Sequence, residues 1–68
     1  MKSIDARGLS CPEPVILTRK AVTAGKLPCQ VLVDNPTAKE NVTRYAQHQG
    51  CQVSVTEGDG TYTLTLTK

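Results

Sequence analysis

The first half of the chain alternates between strand-like and helix-like patterns. Residues 2–6, KSIDA, are compatible with a short β-strand. A helix is expected from Pro12 to Ala24, because proline suits the first helical position and Gly25 suits the residue just beyond a helix. Residues 29–33, CQVLV, form a nearly continuous apolar run and predict a strand that is buried on both faces or nearly so. The residues expected near one face of the helix are Pro14, Leu17, Ala21 and Ala24.

The second half predicts another helix and then a β-hairpin. Thr37 followed by Glu40 is the signature of a capping box at the start of a helix, and Gly50 is expected to end that helix. Apolar and polar residues then alternate in two runs separated by EGDG, which predicts a hairpin with an inner and an outer face. The positions that recur at helical spacing are Ala38, Val42, Tyr45, Ala46 and Gln49, and the inward positions of the hairpin are Cys51, Val53, Val55, Tyr62, Leu64 and Leu66.

The order of these elements is β-α-β-α-β-β, which predicts an α/β (α+β) two-layer sandwich. Right-handed crossovers place both helices on one face of a four-stranded mixed sheet. Many threonines fall on the other face, which can stay in contact with water. With 68 residues, the chain is expected to form a single domain, residues 1–68, whose thin core contains neither Trp nor Phe.

Charge and hydropathy argue against several classes of partner. The net charge of +2 comes from 8 basic and 6 acidic residues spread along the chain, so it does not favour binding to nucleic acid or to a membrane surface. No apolar run approaches the length of a membrane span, and the N-terminal residues lack the apolar stretch of a signal peptide. A cytoplasmic location is therefore expected by default. The protein is also expected to be a monomer.

The three cysteines are the candidates for chemistry. Cys11, Cys29 and Cys51 share no metal-type spacing, and His48 is the single histidine, so no metal site is expected. Cys29 opens the buried strand and Cys51 is in phase with the inward residues of the hairpin, so both are expected to fill the core. A role for either of them as a resolving thiol near Cys11 stays open.

Cys11 lies in a polar turn at the expected start of the first helix. As the N-cap residue, its sulfur would accept a hydrogen bond from the first turn, and a thiolate accepts better than a neutral thiol. Pro12 and Pro14 have no N–H, so the amide of Glu13 is the expected donor. The helix dipole adds positive charge, and Arg7 adds more if the turn folds back. An exposed thiol of lowered pKa is expected; the alternative is a small buried hydrophobic residue.

The residues around Cys11 carry three further expectations. Pro12 and Pro14 restrict the turn, so they are expected to serve the site more than the fold. Asp5 and Arg7 are close enough in sequence for a local ion pair. No base partner can be assigned to Cys11, which argues against a Cys–His hydrolase.

Residues 5–14, DARGLSCPEP, resemble the signature D-x-R-G-L-x-C-P-x-P of the TusA/SirA/YedF family of small sulfur-carrier proteins. Residues 34–36, DNP, resemble the D-x-P turn that follows the second strand in that family. The β-α-β-α-β-β order matches the family fold along essentially the whole chain. Residues 38–50, AKENVTRYAQHQG, look most like the YedF branch, which has been linked to selenium metabolism and usually carries a second, DsrE-like domain.

The resemblance implies that Cys11 carries a persulfide sulfur. A cysteine desulfurase would load it, and the thiol of a downstream acceptor protein would take it, with no cofactor in the carrier. The protein would then be a carrier component of a sulfurtransferase relay rather than an enzyme that turns over. Two alternatives stay open: a selenium carrier with the same chemistry, and a regulatory or interaction module that carries no sulfur. The residues expected to support Cys11 are Arg7, Gly8, Pro12, Glu13 and Pro14.

Overall fold

The computed structural model describes residues 2–10 and 12–68 and contains the elements in the expected order. The sheet order is β1-β2-β4-β3, with β1 parallel to β2 and the other neighbours antiparallel. The prediction of a four-stranded mixed sheet with two helices is confirmed. The elements are β1 (Lys2–Asp5), α1 (Glu13–Thr23), β2 (Cys29–Val33), α2 (Pro36–His48), β3 (Gln52–Gly58) and β4 (Thr61–Thr67).

The core lies between the sheet and the two helices. Val31 pairs with Leu64 and Cys29 pairs with Leu66, so the buried residues of β2 and β4 face the same side of the sheet. The helices contribute mostly small residues, which lets them pack closely on these aliphatic side chains. The remaining core residues are Ala6, Ala21, Val33, Ala38, Val42, Ala46 and Cys51.

Two predictions about the strands are wrong in part. β2 alternates between buried and half-buried residues instead of being buried on both faces, because Gln30 and Leu32 point to the side of the sheet opposite the helices. Val55 was predicted to face the interior, but it is 44% exposed. It lies on β3, an edge strand that α2 flanks on only one side.

The predicted capping box at the start of α2 is wrong. The helix begins at Pro36, and its N-cap is Asn35, whose Oδ1 accepts a hydrogen bond from the amide of Ala38 at 2.7 Å. Asparagine is as good an N-cap as threonine, and Pro36 occupies the position where a backbone amide is not needed. The Asn35 side chain therefore caps α2 in place of the predicted capping box of Thr37 and Glu40.

The helix ends and helix faces agree with the predicted pattern except at three residues. Gly25 and Gly50 follow the helices with φ of +72° and +81°. Ala24 and Gln49 are exposed because they are C-cap residues, beyond the last turns that pack on the sheet. Thr18 is buried on α1 although it was not predicted there, and its hydroxyl donates to the carbonyl of Pro14 at 2.8 Å.

Candidate functional site

The loop between β1 and α1 carries the motif residues and contacts the loop that follows β2. Because β1 and β2 are parallel neighbours, their carboxyl ends meet at the same edge of the sheet. The amide of Ala6 donates to the carbonyl of Leu32 at 2.8 Å, and the amide of Gly8 donates to Oδ2 of Asp34 at 2.8 Å. Gly8 has a φ of +77°, which favours glycine. The two motif segments therefore meet in one surface.

Arg7 and Asp5 form the predicted ion pair on this loop. Nε of Arg7 lies 2.9 Å from Oδ1 of Asp5, Nη2 lies 2.8 Å from Oδ2, and the amide of Arg7 donates to Oδ1 at 3.1 Å. The hydrogen bonds from the Arg7 side chain, and then from its amide, lower the pKa of the Asp5 carboxyl to about 2. The same partner raises the pKa of Arg7, and the charge of Asp34 adds to that effect. Arg7 is therefore a fixed positive charge on the motif loop.

Helix α1 begins one residue later than expected. Its N-cap is Pro12, with φ of −101° and ψ of 16°, and not Cys11. The amide of Glu13 donates to the carbonyl of Ser10 at 2.9 Å. The predicted donation from this amide to the Cys11 sulfur involves a residue outside those that the structure describes and stays a prediction. A turn from Ser10 to Glu13 closes before the helix starts and uses this amide. No side chain of the described residues caps α1.

The two prolines of the motif have different environments. Pro12 is exposed, whereas the side chain of Pro14 is less than 2% exposed. Pro14 is the second helical residue, where the missing amide costs no helical hydrogen bond. Pro14 therefore anchors the start of α1 in the core, in agreement with its predicted place on the same helix face as Leu17 and Ala21, so it has a role in the fold beyond the expected role at the site. Pro12 stays at the surface of the motif loop.

Cys11 lies outside the residues that the structure describes, so its predicted role stays a prediction. Its chain neighbours Ser10 and Pro12 are both exposed. Arg7 and Glu13, on either side of them, are exposed as well. These four described residues of the motif loop are thus exposed on both sides of Cys11, whereas Leu9 is half-buried.

The other two cysteines lie in the interior, as predicted. Cys29 is 0% exposed and Cys51 is 6% exposed, and both are free thiols. Burial raises the pKa of the Cys29 thiol, and the nearby Cys51 adds to the shift. Because the thiolate is the nucleophilic form, a buried thiol of raised pKa is a poor acceptor of sulfur.

Asp34 and Asn35 lie next to the motif loop; their segment was recognised as resembling a family turn, but neither side chain was expected to support Cys11. Asp34 holds Gly8, and Asn35 caps α2 immediately beside it. The sequence position of Asp34 could have predicted this contact. Asp34 directly follows β2, and because β1 and β2 are parallel neighbours, the residue after β2 lies next to the loop after β1. The motif loop is thus fastened to the start of α2.

The described residues contain no candidate metal site and no candidate membrane-spanning helix. Within residues 2–10 and 12–68, no group of three His, Cys, Asp or Glu side chains could hold a metal ion. His48, the last residue of α2, is exposed. Neither helix of the described chain is long and apolar enough to cross a membrane.

Comparison with protein families decides the classification. The family model described as Sulfurtransferase TusA matches residues 2–68, nearly the whole chain. The chain belongs to the TusA family. The family resemblance predicted from the motif is confirmed.

Two relatives illustrate how similar this TusA-family chain is to known proteins. A protein of Archaeoglobus fulgidus described as "Putative sulfur carrier protein" is 39% identical over 44 residues, which are 62% of this chain and 57% of that protein. The matched segment therefore spans little more than half of the curated relative. The crystal structure of a SirA-like protein from Desulfitobacterium hafniense superimposes with a TM-score of 0.89 at 36% identity, covering 97% of this chain and 95% of the other. The resemblance to the YedF branch stays a prediction.

Proposed function

We propose that this protein carries sulfur as a persulfide on Cys11, receiving it from a cysteine desulfurase and passing it to the thiol of an acceptor protein. The observation that supports this most is the distribution of the three thiols. Cys29 and Cys51 are enclosed in the core, whereas the chain neighbours of Cys11 in the motif loop, Ser10 and Pro12, are exposed. A carrier must bring its sulfur into another protein's active site, and a buried thiol cannot do so.

Both transfers are exchanges between a thiolate and a persulfide. In the first, the thiolate of Cys11 attacks the outer sulfur of the donor persulfide, the S–S bond of the donor breaks, and the donor thiolate leaves. In the second, the acceptor thiolate attacks the outer sulfur on Cys11, and Cys11 leaves as a thiolate. Each step replaces one S–S bond by another, so neither step requires an external oxidant or reductant.

The electrostatics of the loop favour the thiolate that both steps require. The start of α1 has no side-chain cap among the described residues, and the helix dipole places partial positive charge there. Arg7 adds positive charge on the same loop, which its ion pair with Asp5 offsets in part. Glu13 opposes these effects, but its side chain is exposed and water screens its charge. Positive charge near a cysteine raises its thiolate fraction at neutral pH and improves it as a leaving group.

The loop is also held on both sides of Cys11. Upstream, the amide of Gly8 is bound by Asp34 at 2.8 Å. Downstream, the turn from Ser10 to Glu13 leads into α1, whose first turn is anchored by the buried Pro14. We expect these contacts on both flanks to favour a productive approach of Cys11 to a partner's thiol.

The proposal is tested by loading the protein with sulfur. The purified chain is incubated with a cysteine desulfurase and L-cysteine, and its intact mass is measured. We expect the gain of one sulfur atom, reversed by a reducing agent and absent from Cys11→Ser. The matched control, Cys51→Ala, should load like the original protein. Loading of Cys11→Ser, or no loading of the original protein by a desulfurase that loads another TusA-family carrier, would contradict the proposal.

A further inference from the structure

A groove runs along one outer edge of the molecule, between β1 and α1. Among the described strands, β1 pairs only with β2, so its other edge is free. The groove has a volume of about 440 Å³, and its apolar lining is formed by Ile4, Leu17, Ala21 and Ala24. The proposed sulfur transfer makes no use of this groove, so its apolar surface needs another explanation.

The backbone of β1 offers hydrogen-bonding groups to this free edge. The amide of Ala6 points toward β2, because it donates to the carbonyl of Leu32 at 2.8 Å. The backbone amides and carbonyls of successive residues point alternately to the two edges of a strand. The amide and carbonyl of Ile4 therefore point toward β2 as well. The amides and carbonyls of Ser3 and Asp5 therefore point away from β2, where an added strand can pair with them.

The rim of the groove is basic. Lys2, Lys20 and Lys26 line it, and none of them pairs with a carboxylate in the part of the chain that the structure describes. Asp5, which also lines the groove, is already paired with Arg7 at 2.8 Å. The uncompensated positive charge repels the same edge of a second copy and attracts carboxylates.

We infer that this groove binds an extended acidic segment of a partner protein, which adds a strand to β1. Ser3 and Asp5 supply the backbone hydrogen bonds, and apolar side chains in the middle of the segment cover Ile4 and Leu17. Carboxylates toward the ends of the segment pair with the three lysines of the rim. The inference concerns docking and holds whether or not Cys11 carries sulfur.

A peptide titration followed by ¹⁵N–¹H NMR tests this docking. The probe is acetyl-EEVTVEE-amide, whose outer glutamates and inner valines share one face of a strand. We expect saturable shifts of the Ser3 and Asp5 amides, and binding at least about fivefold weaker for the uncharged control acetyl-QQVTVQQ-amide. Absence of these shifts at millimolar peptide, or equal binding of the two peptides, would overturn the inference.

A pair of charge reversals on α1 locates the binding surface. Lys20→Glu and Arg19→Glu change the net charge equally and affect neighbouring exposed residues, but only Lys20 lines the groove. We expect Lys20→Glu to weaken binding of the acidic peptide by about fivefold, and Arg19→Glu by less than about twofold. Equal effects would show that only the overall charge attracts the peptide, and would overturn the assignment to the groove. The same spectra report whether each variant is folded.

Discussion

The two helices of this protein both start at a proline-containing turn after a parallel strand, but the two starts are built differently. At α2, the side chain of Asn35 binds the amide of Ala38 at 2.7 Å, and Pro36 is the first helical residue. At α1, the N-cap is Pro12, and no side chain among the described residues caps the first turn. A side chain caps the start of α2. At the start of α1, no side chain of the described residues binds the free amides at the positive end of the helix dipole.

The start of α1 is held by tertiary contacts in place of a cap. Pro14 is buried in the core, and Asp34 holds Gly8 in the loop that precedes the helix. This arrangement stabilises the helix start and leaves Pro12 and Glu13 exposed. The difference between the two starts indicates that α2 is stabilised by a local side-chain cap, whereas the start of α1 depends on contacts with the rest of the fold.

The largest expected effect on stability comes from the anchor of α1. Pro14→Ala removes buried methylene groups and lets the unfolded chain sample more conformations, so it should destabilise the protein by about 1–3 kcal/mol. Pro12→Ala is the matched control, because it frees the unfolded chain in the same way but removes no buried group, and it should destabilise the protein by less than about 1 kcal/mol. Urea unfolding of both variants makes the measurement. Equal effects would mean that burial of Pro14 does not anchor the helix.

The next effect concerns the cap of α2. Asn35→Ala removes the acceptor for the Ala38 amide and should destabilise the protein by about 1 kcal/mol. Thr37→Ala should change the free energy of unfolding by less than about 0.5 kcal/mol, because Thr37 is exposed and is not the cap. Thermal unfolding separates the two, and a larger loss in Thr37→Ala would restore the capping box.

A smaller loss of stability is expected when the hydrogen bond between Asp34, after β2, and Gly8, in the motif loop, is removed. Asp34→Ala removes the acceptor for the Gly8 amide and should destabilise the protein by about 0.5–1 kcal/mol. It should also slow sulfur loading of Cys11 by about tenfold, because the loop loses its upstream attachment. Asp34→Asn keeps an oxygen acceptor and should load at close to the original rate. If Asp34→Ala loads at that rate too, the contact does not position the loop.

The smallest effect is the pH dependence of the Asp5–Arg7 pair. The pKa of Asp5 is held at about 2, below its ordinary 3.8, so the pair's stabilisation is complete above pH 3.8 and is lost as the pH falls through 2. Both side chains are exposed, so the effect on folding is small. NMR titration of the Asp5 carboxyl should give a midpoint near 2, and Arg7→Ala should return it toward 3.8. A midpoint near 3.8 in the original protein would mean that the pair does not form in solution.

The hydrophobic pattern predicts the fold well because it is repeated along each element. Alternation alone places Leu64, Leu66 and Cys51 inside, and all three are buried. The pattern fails at Val55, because burial there depends on how far α2 extends over the edge of the sheet. The same limit applies to Thr18, whose burial requires that its hydroxyl find the carbonyl of Pro14.

The details of the candidate site are harder to predict because neighbouring groups compete for the same hydrogen bonds. Asn35 and Thr37 are both good caps, and only the three-dimensional path of the chain favours Asn35. The amide of Glu13 has an acceptor in the Ser10 carbonyl, which no side-chain pattern reveals. Even so, the motif alone identified the right family and the loop that carries the candidate thiol.

The most direct test of the account is the rate at which each of the three thiols is alkylated in the native protein as a function of pH. Mass spectrometry of peptides assigns the label to Cys11, Cys29 or Cys51. The account predicts that Cys11 reacts first, with a midpoint below the ordinary thiol pKa of about 8.5, and that the other two react only after unfolding. Equally fast labelling of Cys29 or Cys51, or a Cys11 midpoint at or above about 8.5, would contradict the claim that the motif loop holds the reactive thiol.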